Sequence, residues 1–503
     1  MGLSHIIFPD LYRAYYKTSR GDLCPTTLQK QIDSQNQVLS ELITVLPFVK
    51  YGIENNIDTK CPNLDILRQL PIVSYEEIHP YIDMVWNGND NVLWYGKTKW
   101  FAKSSGTTNS KSKYIPVTNE SIEQNHFLAG RDMLANYLKR NPKSKIGFES
   151  AVTISGSIQD RNEVAQTHAG DISTILDLNQ PWWAQLSKAL PQDILEIPSW
   201  KDRLPFVINF LKDVDVKVFV GTVTWIHIIL DEMVKKYNKK DVLEIWPNLE
   251  VIFHGAVSIK PYLNEFKKLI PKDIHYMEIY NASEGFFAFQ DTDNNDNGML
   301  LLTGHGIFYE FISLKDMQIY TVNDLKLGHS YEMIISTVSG LWRYRIGDIV
   351  LVSSIDPVRI KVIGRTKAML NAYGEELMVG NVDEAIRLIN QETDYKIKEY
   401  TGCPVYKDEN TNGAHEWVME FENIPDDMNH FNDIFDSKLK SLNSDYEAKR
   451  KGDVVLSKPI IHPVKLGTFY KWMEKRNKLG GQNKIPRLNN DRKHVEELKN
   501  IML

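Results

Sequence analysis

The sequence predicts an α/β fold with a strand-rich second part and a small α+β domain at its carboxyl end. Three observations carry this. First, VKVFVGT, WIHIILDEMVKKYNKK, LEVIFHGAV, KPYLNEFKKLIP and IHYMEIYNASEG read as strand, helix, strand, helix and strand. That alternation belongs to a mostly parallel sheet covered by helices. Second, from Met299 the runs MLLLTGHGIFYEFISL, YEMIISTVSGLWRYRIGDIVLVSS and VRIKVIGRT are strand-rich with tight turns. They predict an antiparallel, barrel-like part or sheet appended to the α/β part. Third, beyond Gly364–Lys367 helical periods such as VGNVDEAIRLINQE alternate with strands such as HEWVMEFEN. This stretch, of about 135 residues, suffices for a separate small lid. The expected domains are therefore 1–365 and 366–503.

The elements before the alternation follow in order. TLQKQIDSQNQVLSELITVLPFVKYG carries apolar residues at helical spacing and ends at a glycine, which predicts a helix. FAKSSGTTNSKSKYIPVT reads as strand, loop, strand. NESIEQNHFLAGRDMLANYLKRNP reads as a helix with Asn119 as N-cap and Pro142 beyond its end.

Composition excludes several classes. The 503 residues are 42% hydrophobic and 25% charged, with a formal net charge of -6. Such a chain is globular and lacks the basic excess of a nucleic-acid binder. Its three cysteines, Cys24, Cys61 and Cys403, form no metal-ligand or disulfide spacing, so a reducing, cytoplasmic setting is expected. The first residues lack a signal-peptide pattern. Val218–Leu230 is too short and too polar to span a bilayer. No nucleic-acid or membrane partner is expected, and a monomer is the default expectation.

Several short motifs could carry chemistry. In Ser104-Ser105-Gly106-Thr107-Thr108, backbone N–H groups and hydroxyls between two strands could form an anion nest, with Lys111 or Lys113 adding charge. A plain surface loop has the same composition. In YNASEG, Tyr280 ends an apolar strand, where ligands of open α/β sheets bind, and Glu284 could ligate magnesium. The bland alternative is a core tyrosine beside a solvated glutamate. In YRIGD, Asp348 could accept both hydroxyls of a ribose and Arg345 could meet phosphate; a hairpin turn with a surface ion pair fits equally. Gly364-Arg365 suits a hinge whose arginine reaches a ligand. Lys484 and Arg487 stand in a glycine-rich loop, where a mobile lysine could neutralise charge building on a phosphate; a frayed basic tail is the alternative. His168, His254 and His305 lack partners at metal-ligand spacing and read as structural.

The order of these motifs is more specific than any one of them. SSGTTNSKSK, YNASEG, YRIGD, GRTKAMLNAYGEEL and GQNKIPR together resemble the adenylate-forming superfamily, and within it the GH3 family of acyl acid–amido synthetases, most closely its bacterial branch. GDISTIL, WPNLEVIFHGAVSIKPY and GIFYEF extend the resemblance from about residue 10 to the end.

The resemblance implies an adenylate-forming architecture with the active site between a large N-terminal domain and a rotating C-terminal lid. It implies ATP and Mg2+, a small carboxylic acid, and an amine, usually an amino acid. Under it, Ser104, Ser105, Gly106, Thr107 and Thr108 grip phosphates, assisted by Lys113 or Lys111. Glu284 holds magnesium. Tyr280 stacks on adenine, with Ala256 and Val257 along its edge and Ser283 in the same motif. Asp348 fixes the ribose, Arg345 lies near phosphate or base, and Arg365 helps close the lid. Lys484 steadies the adenylation transition state, although Asn483 stands where the wider superfamily has glycine. Lys367 is the hinge candidate. An acyl-CoA or aryl-CoA ligase, or a non-catalytic acid- or nucleotide-binding protein on the same fold, are the competing readings.

Overall fold

The computed structural model describes residues 24–104, 113–147, 151–153, 156, 158–180, 190–195, 197, 200–255, 259, 262–293, 297–365, 369–370, 375, 377–405, 413–450, 456–476, 478–479 and 484–502. Its centre is an eleven-stranded sheet, parallel at one end and antiparallel over the rest. Ala151–Thr153, Val218–Thr222, Val251–Gly255 and His275–Ala282 run parallel. Gly285–Phe289, Met299–Leu301, Val358–Arg365, Tyr344–Ile355, Ser330–Thr337, Ile307–Ser313 and Ile319–Tyr320 continue it with antiparallel pairing. The expected antiparallel character from Met299 is present. The strands do not form an appended barrel, however; they extend the same sheet, because Gly285–Phe289 folds back on the last parallel strand.

The parallel strands are apolar on both faces. Val251 and Phe253 pack into one core cluster and Ile252 into another, under the helices Trp200–Leu211, Val223–Lys236 and Leu263–Leu269. Continuous burial of this kind explains their unbroken V/I/F runs.

The first expected helix divides. Leu28–Ile43 is one helix, and Leu46–Phe48 and Lys50–Glu54 are short turns after it. Pro47 supplies no N–H for a continuous ladder. Two buried glutamines attach the long helix to the sheet. Gln31 bonds Leu301 O, Val358 O and Val358 N. Gln35 bonds Thr303 O, Ile307 O and Tyr309 N. Each satisfies strand-edge groups that would otherwise be buried without partners.

A second sheet of four strands holds the predicted hairpin. Trp100–Ser104 pairs antiparallel with Lys113–Val117, with Ser104 opposite Lys113. Tyr114 Oη donates to Asp160 at 3.0 Å and Lys103 pairs with Asp160 at 2.7 Å, which ties the hairpin to Ile158–Asn162, the strand on the far side of Thr167–Gly170. The helix after it begins one residue earlier than expected. Thr118, not Asn119, is the cap, since its Oγ1 accepts from Ser121 N at 3.0 Å. Its first turns, Ser121–Phe127, are π-helical and run into the α-helix Leu128–Arg140.

Beyond Arg365 the described elements form their own layers. Ile397–Val405, Ala414–Phe421 and Ile460–Lys465 make a three-stranded sheet. Val379–Glu392, Met428–Leu442, Thr468–Lys475 and Lys493–Met502 pack on it around Trp417, Phe435 and Trp472.

Candidate active site

The site lies at the carboxyl ends of the parallel strands, where an open α/β sheet leaves a crevice. Val251–Gly255 and His275–Ala282 end side by side, with Gly255 opposite Ile279. Gly255 is needed for that approach, because a Cβ there would meet Ile279 O at 2.7 Å. Tyr280 follows, only 8% exposed, with its ring against Phe287 at 4.7 Å. Its hydroxyl donates to Asp348 Oδ2.

Asp348 reaches this point through an irregular strand. Arg345 pairs with Ile334 and Ile349 with Glu332, so the residues between bulge outward. Gly347 permits the bend at φ +80°. The carboxylate of Asp348 is 3% exposed and meets Arg365 Nε at 2.5 Å. Asp348 and Arg365 are direct neighbours across their strands. Asp348, Glu284 and Tyr280 all raise the pKa of the Arg365 guanidinium.

Glu284 and Lys484 complete the cluster. Burial, then the Asp348 charge, raise the pKa of the Glu284 carboxyl, while Arg365 and Lys113 oppose that rise. Lys484 keeps solvent access at the cleft mouth, yet protein surrounds it. Desolvation and then Arg365 push its pKa down to about 8, against the attraction of Asp348 and Glu284. Tyr344 is buried near Glu284, and burial holds its phenol well above the usual range. Lys113 lies with Nζ 5.1 Å from the centre of the Tyr75 ring, and its charge acts on Glu284. A half-buried carboxylate whose charged form is disfavoured is suited to a hard divalent cation beside phosphate, which would relieve that cost. Glu284 fits that role.

The structure thus brings together Tyr280, Glu284, Asp348, Arg365, Lys113 and Lys484. Ser283 is buried in the same turn, and Ser104 ends its strand beside Lys113. Arg345 is the exception. Its guanidinium is held by Glu332 at 3.0 and 2.5 Å and stays partly exposed. Tyr280 is also packed more tightly than an open stacking platform. Ser105, Gly106, Thr107, Thr108, Lys111, Ala256, Val257 and Lys367 lie outside the described residues.

Other contacts join residues that spacing in the sequence does not connect. Arg487 pairs with Glu399 at 2.5 Å and sits over the Tyr400 ring at 4.5 Å. Tyr262 Oη donates to Glu399, across from the large sheet's helices to the small domain. Buried Asn125 in the π-turn bonds Phe286 N, Phe286 O and His305 O. Burial lowers neighbouring His126 to about 4, against its bond to Asn281. His305 Nε2 meets Asp132 Oδ2 at 3.0 Å and Cys24 Sγ donates to the same oxygen at 3.5 Å. These contacts give His305 a hydrogen-bonded role, and they set three groups that could hold a metal ion within 4.8 Å of one another, from segments too distant for spacing to reveal.

A mixed sheet crossed by this cluster, with a small domain carrying a lysine into the cleft, defines the adenylate-forming ligase architecture. The chain matches the GH3 family N-terminal domain over residues 26–205, the GH3 family central domain over 300–365 and the GH3 family C-terminal domain over 380–493. It belongs to the GH3 family. The indole-3-acetic acid-amido synthetase GH3.6 of Arabidopsis thaliana is 23% identical, over 90% of this chain and 88% of that one. The 4-substituted benzoates-glutamate ligase GH3.12 of the same plant is 21% identical, over 76% and 77%. In fold, the GH3.15 acyl acid amido synthetase superposes with a TM-score of 0.77 at 17% identity, covering 97% of this chain and 96% of that one. A 2-hydroxyisobutyryl-CoA ligase superposes with a TM-score of 0.61 at 11% identity, over 94% and 92%.

Proposed function

We propose that the chain is an ATP-dependent, AMP-forming acyl acid–amido ligase. A carboxylate oxygen of the acid attacks the α-phosphorus of ATP, and pyrophosphate leaves as the acyl-adenylate forms. An amine nitrogen, most simply that of an amino acid, then attacks the acyl carbon; AMP leaves and the nitrogen loses a proton. The observation that carries this is the convergence of Glu284, Asp348, Arg365 and Lys484, drawn from a turn, two strands and a distant loop, on one cleft.

The residues divide the work. Asp348, oriented by Tyr280 and Arg365, accepts the ribose hydroxyls. Glu284 would hold magnesium, which supplies charge neutralisation between phosphate oxygens when bound. Lys484 places a positive charge where negative charge develops on the α-phosphate. Lys113 and the loop before it hold the outer phosphates. Residues 1–365 form the acyl- and ATP-binding domain and 366–503 the lid, turning at Lys367.

ATP–pyrophosphate exchange tests the first half-reaction without knowledge of the amine. Acid-dependent exchange, lost by about a hundred-fold or more in Glu284→Ala, is the expected result. Exchange that survives Glu284→Ala would remove the glutamate from the site. Amino acids and CoA, compared as acceptors of the adenylate formed, separate amide synthesis from thioester synthesis.

A further inference from the structure

Cys24, Asp132 and His305 come from three segments that the fold brings to one point. Cys24 stands shortly before the helix Leu28–Ile43, and Asp132 is on the helix Leu128–Arg140. His305 is in the turn between the sheet strands Met299–Leu301 and Ile307–Ser313. Asp132 is 4% exposed and His305 1%, while Cys24 keeps partial access to solvent. A thiol sulfur, a carboxylate oxygen and a ring nitrogen thus lie within 4.8 Å of one another. The ligase chemistry proposed above uses none of them.

The distances suit a tetrahedral metal. Zinc bonds to sulfur, nitrogen and oxygen are about 2.0–2.3 Å long, which sets neighbouring ligand atoms about 3.3–3.6 Å apart. Here His305 Nε2 is 3.0 Å and Cys24 Sγ 3.5 Å from the same oxygen, Asp132 Oδ2. The remaining sulfur–nitrogen separation, at most 4.8 Å, closes by movement of Cys24, which sits on a bend outside any helix or strand. The other two ligands are set by their surroundings. Asp132 is in the interior of its helix, and the His305 carbonyl accepts from Asn125 Nδ2 at 2.9 Å. His305 Nδ1 is buried without a hydrogen-bond partner, so the ring's hydrogen bonding is directed at Asp132 alone.

The donor set selects the metal. A thiolate and an imidazole beside a single carboxylate suit zinc rather than magnesium or calcium, which take oxygen ligands. One thiolate and one carboxylate also cancel the charge of a dication, which lowers the cost of burying it. We propose that Cys24, Asp132 and His305 form a zinc site that fastens the segment before Leu28–Ile43 to the large sheet and to the helix Leu128–Arg140. Zinc replaces the two hydrogen bonds to Asp132. The thiol proton leaves to solvent, the ring proton resides on Nδ1, and water takes the fourth position. The role is structural and stands independently of the ligase reading.

The test uses the full chain, reduced and stripped with a chelator, then titrated with Co2+ and Zn2+. One equivalent of Co2+ should give a near-ultraviolet thiolate-to-cobalt band, which Zn2+ should bleach and Mg2+ should not. Cys24→Ser should remove the band and weaken zinc binding by at least about ten-fold, a loss that altering an outer-shell partner already reaches. Asp132→Asn should weaken zinc binding likewise. Cys61→Ser, which removes the other partly exposed cysteine, should leave the spectrum unchanged. Zinc should raise the Tm of the wild type but not of Cys24→Ser. A wild-type protein without the thiolate band, or a band that survives Cys24→Ser or is lost in Cys61→Ser, overturns the proposal and leaves the three residues a hydrogen-bonded trio. The wild-type spectrum decides even if a variant does not fold.

Discussion

Lys484 shows how one residue's surroundings set its chemistry. The protein around it and the nearby Arg365 guanidinium lower its pKa to about 8, while Asp348 and Glu284 hold it from falling further. A lowered lysine pKa means the charge is present below that value and lost above it. The rate constant kcat/KM for ATP in pyrophosphate exchange, which reports the free enzyme, should therefore fall as pH rises through about 8. Lys484→Arg should abolish that fall, since a guanidinium stays charged. Lys484→Ala should lower exchange by about 10²–10³-fold at every pH. A fall that persists unchanged in Lys484→Arg would assign the titration to another group.

At the scale of the element, the strand that carries Asp348 is anchored just before it begins. Arg343 adopts a left-handed backbone, φ 43°, and its guanidinium is buried against Glu310 at 2.7 and 3.0 Å and Leu70 O at 2.8 Å. Val73 brackets the same turn, donating to Arg343 O and accepting from Arg345 N. Breaking a buried pair from one side leaves an uncompensated charge. Glu310→Gln should thus destabilise the protein by about 3–5 kcal/mol, read as the shift of the main urea transition. The double change Glu310→Leu with Arg343→Met should cost less than that, because no charge is left buried. A double change costing more than Glu310→Gln would mean that the pair acts through its shape rather than its charge.

Across the whole molecule, the small domain is held over the cleft by a compact set of contacts. Glu399 receives Tyr262 and pairs with Arg487. Lys398 bridges Glu265 of the large domain and Glu422 of its own, the latter at 2.9 Å. Lys484 lies only three residues before Arg487, so this latch also sets where the lysine sits. Glu399→Gln removes the charge that Arg487 faces. Pyrophosphate exchange should fall about ten-fold, whereas amide formation from a separately prepared acyl-adenylate should be unchanged or faster. Equal losses in both half-reactions would show that the latch does not favour one lid position.

Much of this was legible in the sequence wherever the signal is local. The parallel strands, the hairpin around Lys103–Lys113 and the positions of Tyr280, Glu284 and Asp348 follow from apolar periodicity and from motif order, which neighbouring residues determine. Thr118 rather than Asn119 as the helix cap was within reach, since either residue type serves and only the backbone path chooses. The ion-pair partner of Arg345 was not legible: the bulge around Gly347 decides which face each side chain takes, and it sets this guanidinium on Glu332. The continuity of the eleven-stranded sheet depends on which strand Gly285–Phe289 joins, a long-range choice. The Tyr262–Glu399–Arg487 latch joins residues far apart in the chain. The sequence by itself determined the family, the strand–helix order and the chemical types at the site. Only the tertiary structure decided which of those groups meet, because facing, pairing and desolvation are properties of distant segments packed together.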